Sequence, residues 1–230
     1  MEGAMKQITH LTLSALLRAS IIGFPTLAVF HSADAAPKAV NCAKFNIDVN
    51  AATSLQSVSL PPVQGCSTRT KNGFPIPDPN CTPGAINPTL TATVLRDPTF
   101  TTKCVRDNAT SASQKAGTYT WYHIPHPKNN TGATQTCELD HLISLELGGA
   151  DTLENIWPQC GPPGVQLRAR YFKQKDIVEN FLARQVKAGN MDLAEVQRGI
   201  AEDWTQYLDA AKKAQPAKKS HTAKKRKKHP

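Results

Sequence analysis

Apolar residues recur every three or four positions in two stretches near the C-terminus of this 230-residue chain. In the first stretch the stripe consists of Tyr171, Lys175, Val178 and Leu182, joined by Phe181 and Val186, and Lys175 is its one polar member. The Gly189-Asn190 pair that follows is typical of a helix end. This spacing predicts an amphipathic helix that buries one face, with Tyr171 as a core aromatic.

The second stretch predicts a second helix. Its apolar face consists of Leu193, Val196, Ile200, Trp204 and Leu208. Just before it, Asp192 with Glu195 three residues later has the spacing that caps a helix N-terminus. We expect Trp204 to be a core residue of this helix.

The pattern changes upstream of these helices. Residues 138–147 alternate imperfectly between apolar and polar side chains and end at Gly148-Gly149, a pair that marks a sharp turn. A short run over 151–157 follows and leads to Pro158. Aromatic and β-branched content predicts a further strand over 118–124, and residues 90–95 are interpreted as a short helix or strand. The fold class is therefore α+β.

Residues 36–90 are rich in Pro, Asn, Ser and Thr, which predicts irregular structure. All six cysteines lie beyond residue 36, and an even number in an exported chain indicates disulfides. One pairing is specified, Cys137 with Cys160, because a hairpin over 138–159 would bring its two ends together. The other pairings stay open.

The N-terminus has the form of a signal peptide over residues 1–35. Lys6 and Arg18 precede an apolar run over 19–30, and Ala33-Asp34-Ala35 has the small-x-small form of a cleavage site. The run is shorter than the ~20 residues that span a bilayer, and it contains Pro25. We therefore expect a secreted or periplasmic protein with no stable membrane anchor.

Charge is concentrated at the other end of the chain. Residues 36–209 carry equal numbers of basic and acidic side chains, so the net charge of +9 belongs to the Lys-rich segment 210–230. That composition predicts a disordered tail. The tail is interpreted either as a solvated terminus or as a sequence-independent contact to a polyanion such as nucleic acid.

The unusual feature of the predicted hairpin is Asp140-His141, two adjacent ionisable residues in an apolar run. On a strand their side chains point to opposite faces. A carboxylate that binds a hard cation and an imidazole that accepts a proton from water together suit phosphodiester hydrolysis. Asn155, after the glycine turn, is placed to hold the loop backbone and so fix the histidine ring.

The order of these motifs resembles the HNH endonucleases of the ββα-metal fold, in particular exported bacterial members. The motifs are Asp140-His141, Gly148-Gly149, Asn155-Ile-Trp-Pro and a helix with Lys175-Asp176. The similarity covers roughly residues 75–208, and the order is more specific than any one motif. The resemblance implies an HNH core within 75–209 that is followed by two C-terminal helices. Residues 36–74 would then be an irregular, disulfide-braced segment.

The resemblance also implies roles for the site residues. Asp140 becomes a ligand of a divalent metal, usually Mg²⁺ with Mn²⁺ or Zn²⁺ as alternatives, and His141 the general base. Asn155 becomes the residue that organises the catalytic loop. The substrate is nucleic acid, usually DNA and in some members RNA, and sequence specificity is expected to be low because nothing resembles a base-reading helix or zinc finger.

Two departures from the family pattern affect this interpretation. Ser144 stands where the family typically has proline, and no histidine follows Asn155 until His221, so the helix has no histidine to complete the metal site. On that helix Asp176 is the natural ligand for a hard cation, so it is predicted as the second metal ligand. The basic residues near the helix start, predicted either to meet phosphates or to form an ordinary charged face, are Arg168, Arg170, Lys173 and Lys175.

Two function classes therefore stay open. One is a metal-dependent endonuclease of low specificity. The other is a non-catalytic exported protein that binds nucleic acid or another polyanion on the same fold. An oxygen or nitrogen donor beside Asp140 and His141 favours the enzyme, and a lysine there favours the binding protein.

Overall fold

The computed structural model describes residues 40–106 and 110–215. The predicted signal peptide lies outside the described residues, and so does most of the basic segment, from residue 216 onward. The rest of the chain is mixed α+β, with small antiparallel sheets and three disulfides.

Short strands and helices alternate along the described chain. The strands are β1 (Thr53–Ser54), β2 (Arg69–Lys71), β3 (Phe74–Ile76), β4 (Ala85–Ile86), β5 (Cys137–His141) and β6 (Ile156–Cys160). The α-helices are α1 (Ala92–Arg96), α2 (Ala112–Trp121), α3 (Tyr171–Ala188), α4 (Leu193–Asp203) and α5 (Leu208–Lys213). The strands pair antiparallel as β1 with β4, β2 with β3 and β5 with β6.

The two predicted C-terminal helices are confirmed as α3 and α4. Gly189 ends α3 in the left-handed conformation with φ +78°, which glycine adopts without steric cost. The Asp192 side chain accepts a hydrogen bond from the Glu195 backbone and starts α4. Apolar residues of both helices share one core, which includes Val178, Leu182, Val186, Val196 and Ile200. The second helix is predicted to continue through Trp204 and Leu208, but α4 ends at Asp203, and Trp204 joins the core from a 3-10 turn that leads into α5.

The strand predicted over residues 118–124 is wrong, because most of this segment belongs to α2. The helix begins with a capping box in which Ser111 and Gln114 bond each other's backbone. Tyr119 is buried on its inner face. Aromatic content reflects burial as much as strand preference, so packing and the cap decide this segment.

The predicted domain boundaries fall inside structural elements. β2 and β3 pair across the boundary between residues 74 and 75, and Ile76 lies in the core formed by α3 and α4. At the other end α5 continues to Lys213 with Ala211 fully buried, so the helical body extends past residue 210.

The predicted disulfide joins β5 to β6 at the end of the hairpin that lies away from the connecting loop. Cys137 and Cys160 are register partners and are joined to each other. The other bridges join Cys42 to Cys104 and Cys66 to Cys81. Three bridges fit an oxidising compartment. None of the helices in the described part of the chain combines the length and apolar character needed to cross a membrane.

The bridges differ in how much they restrain the unfolded chain. Cys42–Cys104 spans 62 residues of mostly irregular structure, whereas Cys137–Cys160 spans 23 residues and adds to an existing strand ladder. Replacing Cys42 and Cys104 by alanine should therefore destabilise the protein by about 4 kcal/mol and mainly loosen residues 40–106. Amide hydrogen exchange with mass spectrometry measures this, and faster exchange spread evenly over both halves would contradict it.

Candidate functional site

The loop between β5 and β6 is held together by the Asn155 side chain, which is fully buried. Its amide nitrogen donates to the carbonyl oxygens of Ile143 and Ala150, both at 2.9 Å, and its oxygen accepts from the Ile143 backbone at 2.9 Å. Three polar groups of the loop backbone are thereby satisfied without water. The Asn155 amide thus contacts the loop backbone, as the sequence analysis expected of it.

Gly149 makes this closure possible. A Cβ atom at this position would lie 1.8 Å from the Ile143 carbonyl oxygen and 2.9 Å from the Asn155 amide nitrogen. The preceding Gly148 adopts the left-handed conformation with φ +79°. Glycine is thus required at position 149 by the close approach of the backbone and at position 148 by the turn.

The imidazole of His141 is fixed by a buried carboxylate that the sequence analysis did not identify. His141 Nε2 lies 2.7 Å from Asp151 Oδ1, and the same oxygen lies 2.7 Å from Lys115 Nζ on α2. The Asp151 side chain is fully buried, and that of His141 is 14 % exposed. A strand end, the loop and α2 therefore meet at the histidine.

The charges of this cluster define the state of the imidazole. Burial lowers the pKa of His141, as does the positive charge of Arg106, while Asp151 acts in the opposite direction. Burial would raise the pKa of Asp151, but its hydrogen bonds with His141 and Lys115 lower it below the ordinary range. An ionised carboxylate only accepts hydrogen bonds, so the neutral ring carries its proton on Nε2 and its lone pair on Nδ1.

A cleft of about 280 Å³ opens beside Asp140 and His141. Its remaining lining residues are Thr102, Arg106, Ser144, Leu145, Glu146, Glu179 and Asn180. Arg106 is exposed and supplies a permanent positive charge to an otherwise acidic rim. Ser144 contributes a buried hydroxyl with no hydrogen-bond partner among the described residues.

Asp140 and His141 are neighbours on β5, so their side chains point to opposite faces of the strand. The Asp140 side chain contacts α3. Its Oδ2 lies 2.8 Å from Lys175 Nζ, an ion pair whose angles fall short of a hydrogen bond. The same ammonium donates to the His141 carbonyl oxygen at 2.7 Å and to Glu179 Oε1 at 2.5 Å. Lys175 is 0 % exposed.

Burial raises the pKa of Asp140, and the positive charge of Lys175 opposes that shift only in part. Burial would lower the pKa of Lys175, but Asp140 and Glu179 outweigh it, so the pKa is raised and the amine stays protonated. The cluster therefore holds one cation between two carboxyl groups. Because the pKa of Asp140 is raised, a proton or a further positive charge readily neutralises its carboxylate.

The predicted metal pair is not brought together. Asp140 pairs with Lys175, whereas Asp176 pairs with Lys173 at 2.8 Å, and Lys173 also lies 3.5 Å from Glu138. Within residues 40–106 and 110–215, no three His, Cys, Asp or Glu side chains are grouped closely enough to hold a metal ion.

The four predicted phosphate contacts separate into different environments. Lys175 is buried in the ion cluster, so the prediction that it contacts phosphate is wrong. Arg170 is also buried and donates to the Pro162 carbonyl oxygen. Lys173 is half-buried among carboxylates, and Arg168 is exposed.

Sequence reasoning missed Asp151, Lys115, Arg106 and Glu179. The signal for Lys115 was the Ser111-x-x-Gln114 capping box, which places this lysine in the first turns of a helix. No local pattern distinguishes the other three from ordinary charged residues, because their roles depend on distant partners.

The loop closure predicts a sharp difference between two glycine substitutions. Gly149→Ala should lower the free energy of unfolding by about 3 kcal/mol, because the new methyl group overlaps the Ile143 carbonyl. Gly117→Ala is the control, since its Cβ meets nothing within 4 Å on α2 and should raise stability by about 0.5 kcal/mol. Urea denaturation measures both, and equal effects would refute the requirement for glycine at 149.

Comparison of the chain with protein-family models, with curated proteins and with solved structures returns no match. The functional interpretation therefore depends on the geometry of the site and on the resemblance between motifs.

Proposed function

We propose that this protein is an exported endonuclease of the HNH type that hydrolyses phosphodiester bonds in nucleic acid, DNA in preference to RNA, with low sequence specificity. The observation that carries the proposal is a histidine at a cleft whose ring is fixed by a buried aspartate, with an arginine on the same cleft. This is the arrangement of a general base beside an anion-binding group.

His141 is the proposed base. Asp151 holds Nε2–H at 2.7 Å and leaves the Nδ1 lone pair available to take a proton from water. As the water loses its proton, the imidazole becomes a cation, and the adjacent carboxylate of Asp151 stabilises it. Asn155 and Gly149 keep the loop in one conformation, so the ring and carboxylate need little rearrangement during the reaction.

Arg106 is the proposed partner of the phosphate. Its guanidinium stays charged at any working pH and can bond two phosphate oxygens at once. It lines the same cleft as His141 and is close enough to lower the pKa of that histidine. An arginine here would offset negative charge that develops on the phosphoryl oxygens.

The order of elements supports the resemblance to the ββα-metal fold. A hairpin of β5 and β6 presents Asp140 and His141, and α3 follows and reaches back to both through Lys175. On this order of elements we propose that the fold is of the HNH type.

The predicted divalent ion is harder to accommodate. Asp140 and Asp176 each contact a lysine ammonium, so a Mg²⁺, Mn²⁺ or Zn²⁺ ion would have to displace a lysine or share its carboxylate. No step of the proposed reaction is assigned to a metal ion. The requirement for one is a separate prediction that the cleavage assay tests.

The second candidate is a non-catalytic protein that binds nucleic acid or another polyanion. The contact of Lys175 with Asp140 favours it, since a lysine beside the Asp-His pair is the feature expected of a silent site. The net charge of +9, which the C-terminal segment supplies, favours it as well.

His141→Ala should reduce cleavage by about 10²-fold or more, because the base is lost, while the melting temperature changes little. Degradation of plasmid and of single-stranded RNA, with Mg²⁺, Mn²⁺, Zn²⁺ or EDTA, measures activity. His126→Ala is the control, since this histidine is exposed and its ring contacts that of Tyr119 at a tilted angle. Loss of folding together with activity would show that His141 is structural.

Removing residues 216–230 leaves α5 intact and removes most of the basic segment. Affinity for nucleic acid should fall, and the slope of its logarithm against log salt should become shallower, because fewer counterions are released. Fluorescence anisotropy with labelled duplex DNA at several salt concentrations measures both. An unchanged slope would contradict a role for the segment in binding.

A further inference from the structure

Three oxygen atoms from two elements surround the amine of Lys175. They are Oδ2 of Asp140 at 2.8 Å, the His141 carbonyl oxygen at 2.7 Å and Oε1 of Glu179 at 2.5 Å. An ammonium group has three N–H bonds, so this set uses its full hydrogen-bonding or ion-pairing capacity. Nothing of Lys175 reaches the surface.

Two carboxylates and a backbone carbonyl are also the ligand types that hard divalent cations take from proteins. Here they converge from the end of β5 and from α3, which is where the sequence analysis expected a metal ion. The position is filled by a cation that belongs to the chain itself.

We infer that Lys175 takes the place of a resident divalent cation, so that the site is held by an internal ammonium and opens to a metal only when that ammonium is removed. This inference goes beyond the proposed function and concerns the same residues. It assigns Lys175 a positioning role, because its bond to the His141 carbonyl fixes the backbone of the residue whose ring Asp151 fixes.

Removal of the Lys175 ammonium would change the net charge of the cluster. Asp140, Glu179 and Lys175 together carry one net negative charge when all three are ionised. Without the ammonium, two buried carboxylates face each other, and their repulsion and desolvation favour the uptake of a cation or of protons. A divalent ion would neutralise them and use the oxygens already in place.

The test is a Mn²⁺ titration of the oxidised full-length chain, followed by calorimetry and by the melting temperature. The wild-type protein should show the same Mn²⁺ binding as Asp140→Asn, because Asp140 is occupied by Lys175. Lys175→Met should gain one Mn²⁺ site, with a melting temperature that rises as the ion is added. Lys173→Met, a lysine on the same helix outside the cluster, should gain none.

A second variant keeps the test valid if Lys175→Met folds poorly. Lys175→Met combined with Glu179→Gln restores the wild-type net charge of the cluster and retains Asp140 and the His141 carbonyl. It should fold and bind Mn²⁺ about tenfold or more weakly than Lys175→Met, because one charged ligand is gone. A Lys175→Met protein that folds only with Mn²⁺ supports the inference equally.

Two results would overturn the inference. One is a wild-type Mn²⁺ site that disappears in Asp140→Asn, which would mean that Lys175 does not occupy the position. The other is the lack of any added Mn²⁺ site in whichever Lys175 variant folds. Cleavage of nucleic acid is not a readout here, so a protein without nuclease activity leaves this result unaffected, and an active one does not decide it.

Discussion

Lys175 places a positive charge inside the protein, and the surrounding structure has to satisfy it. Burying an unpaired ammonium would cost several kcal/mol, so its oxygen partners must arrive together from the end of β5 and from the next turn of α3. That requirement fixes how the helix sits against the hairpin. A change that moved α3 along the hairpin would separate Lys175 from Asp140 and from the His141 carbonyl, and would leave the buried Asp140 carboxylate without its cation.

The same contact links the core to the cleft. His141 is held through its carbonyl by Lys175 and through its ring by Asp151, which in turn bonds Lys115 on α2. Asn155 closes the loop that carries Asp151. Two helices, α2 and α3, therefore contribute to the orientation of one imidazole.

The irregular N-terminal part of the described chain packs against the C-terminal helices. Phe74 and Ile76 join the core of α3 and α4, and Trp204 donates its indole hydrogen to the Pro75 carbonyl at 3.1 Å. The Cys42–Cys104 and Cys66–Cys81 bridges hold segments that have few regular hydrogen bonds of their own. The disulfides thus brace the side of the protein where β structure is shortest.

What the sequence by itself determined depends on neighbours a few residues apart. Apolar spacing located α3 and α4, Gly189 and Asp192 marked their ends, and the Gly148-Gly149 pair with Asn155 located the loop. The alternation of a strand also separated Asp140 from His141. Only the tertiary structure decided that Lys175 is buried against Asp140, that Asp151 holds the histidine and that Lys115 bonds Asp151. The contacts made by the two lysines join residues 35 and 36 positions apart in the chain. The reason is physical: the energy of a buried charge depends on which oxygens packing brings within 3 Å, and no local pattern along the chain records that distance.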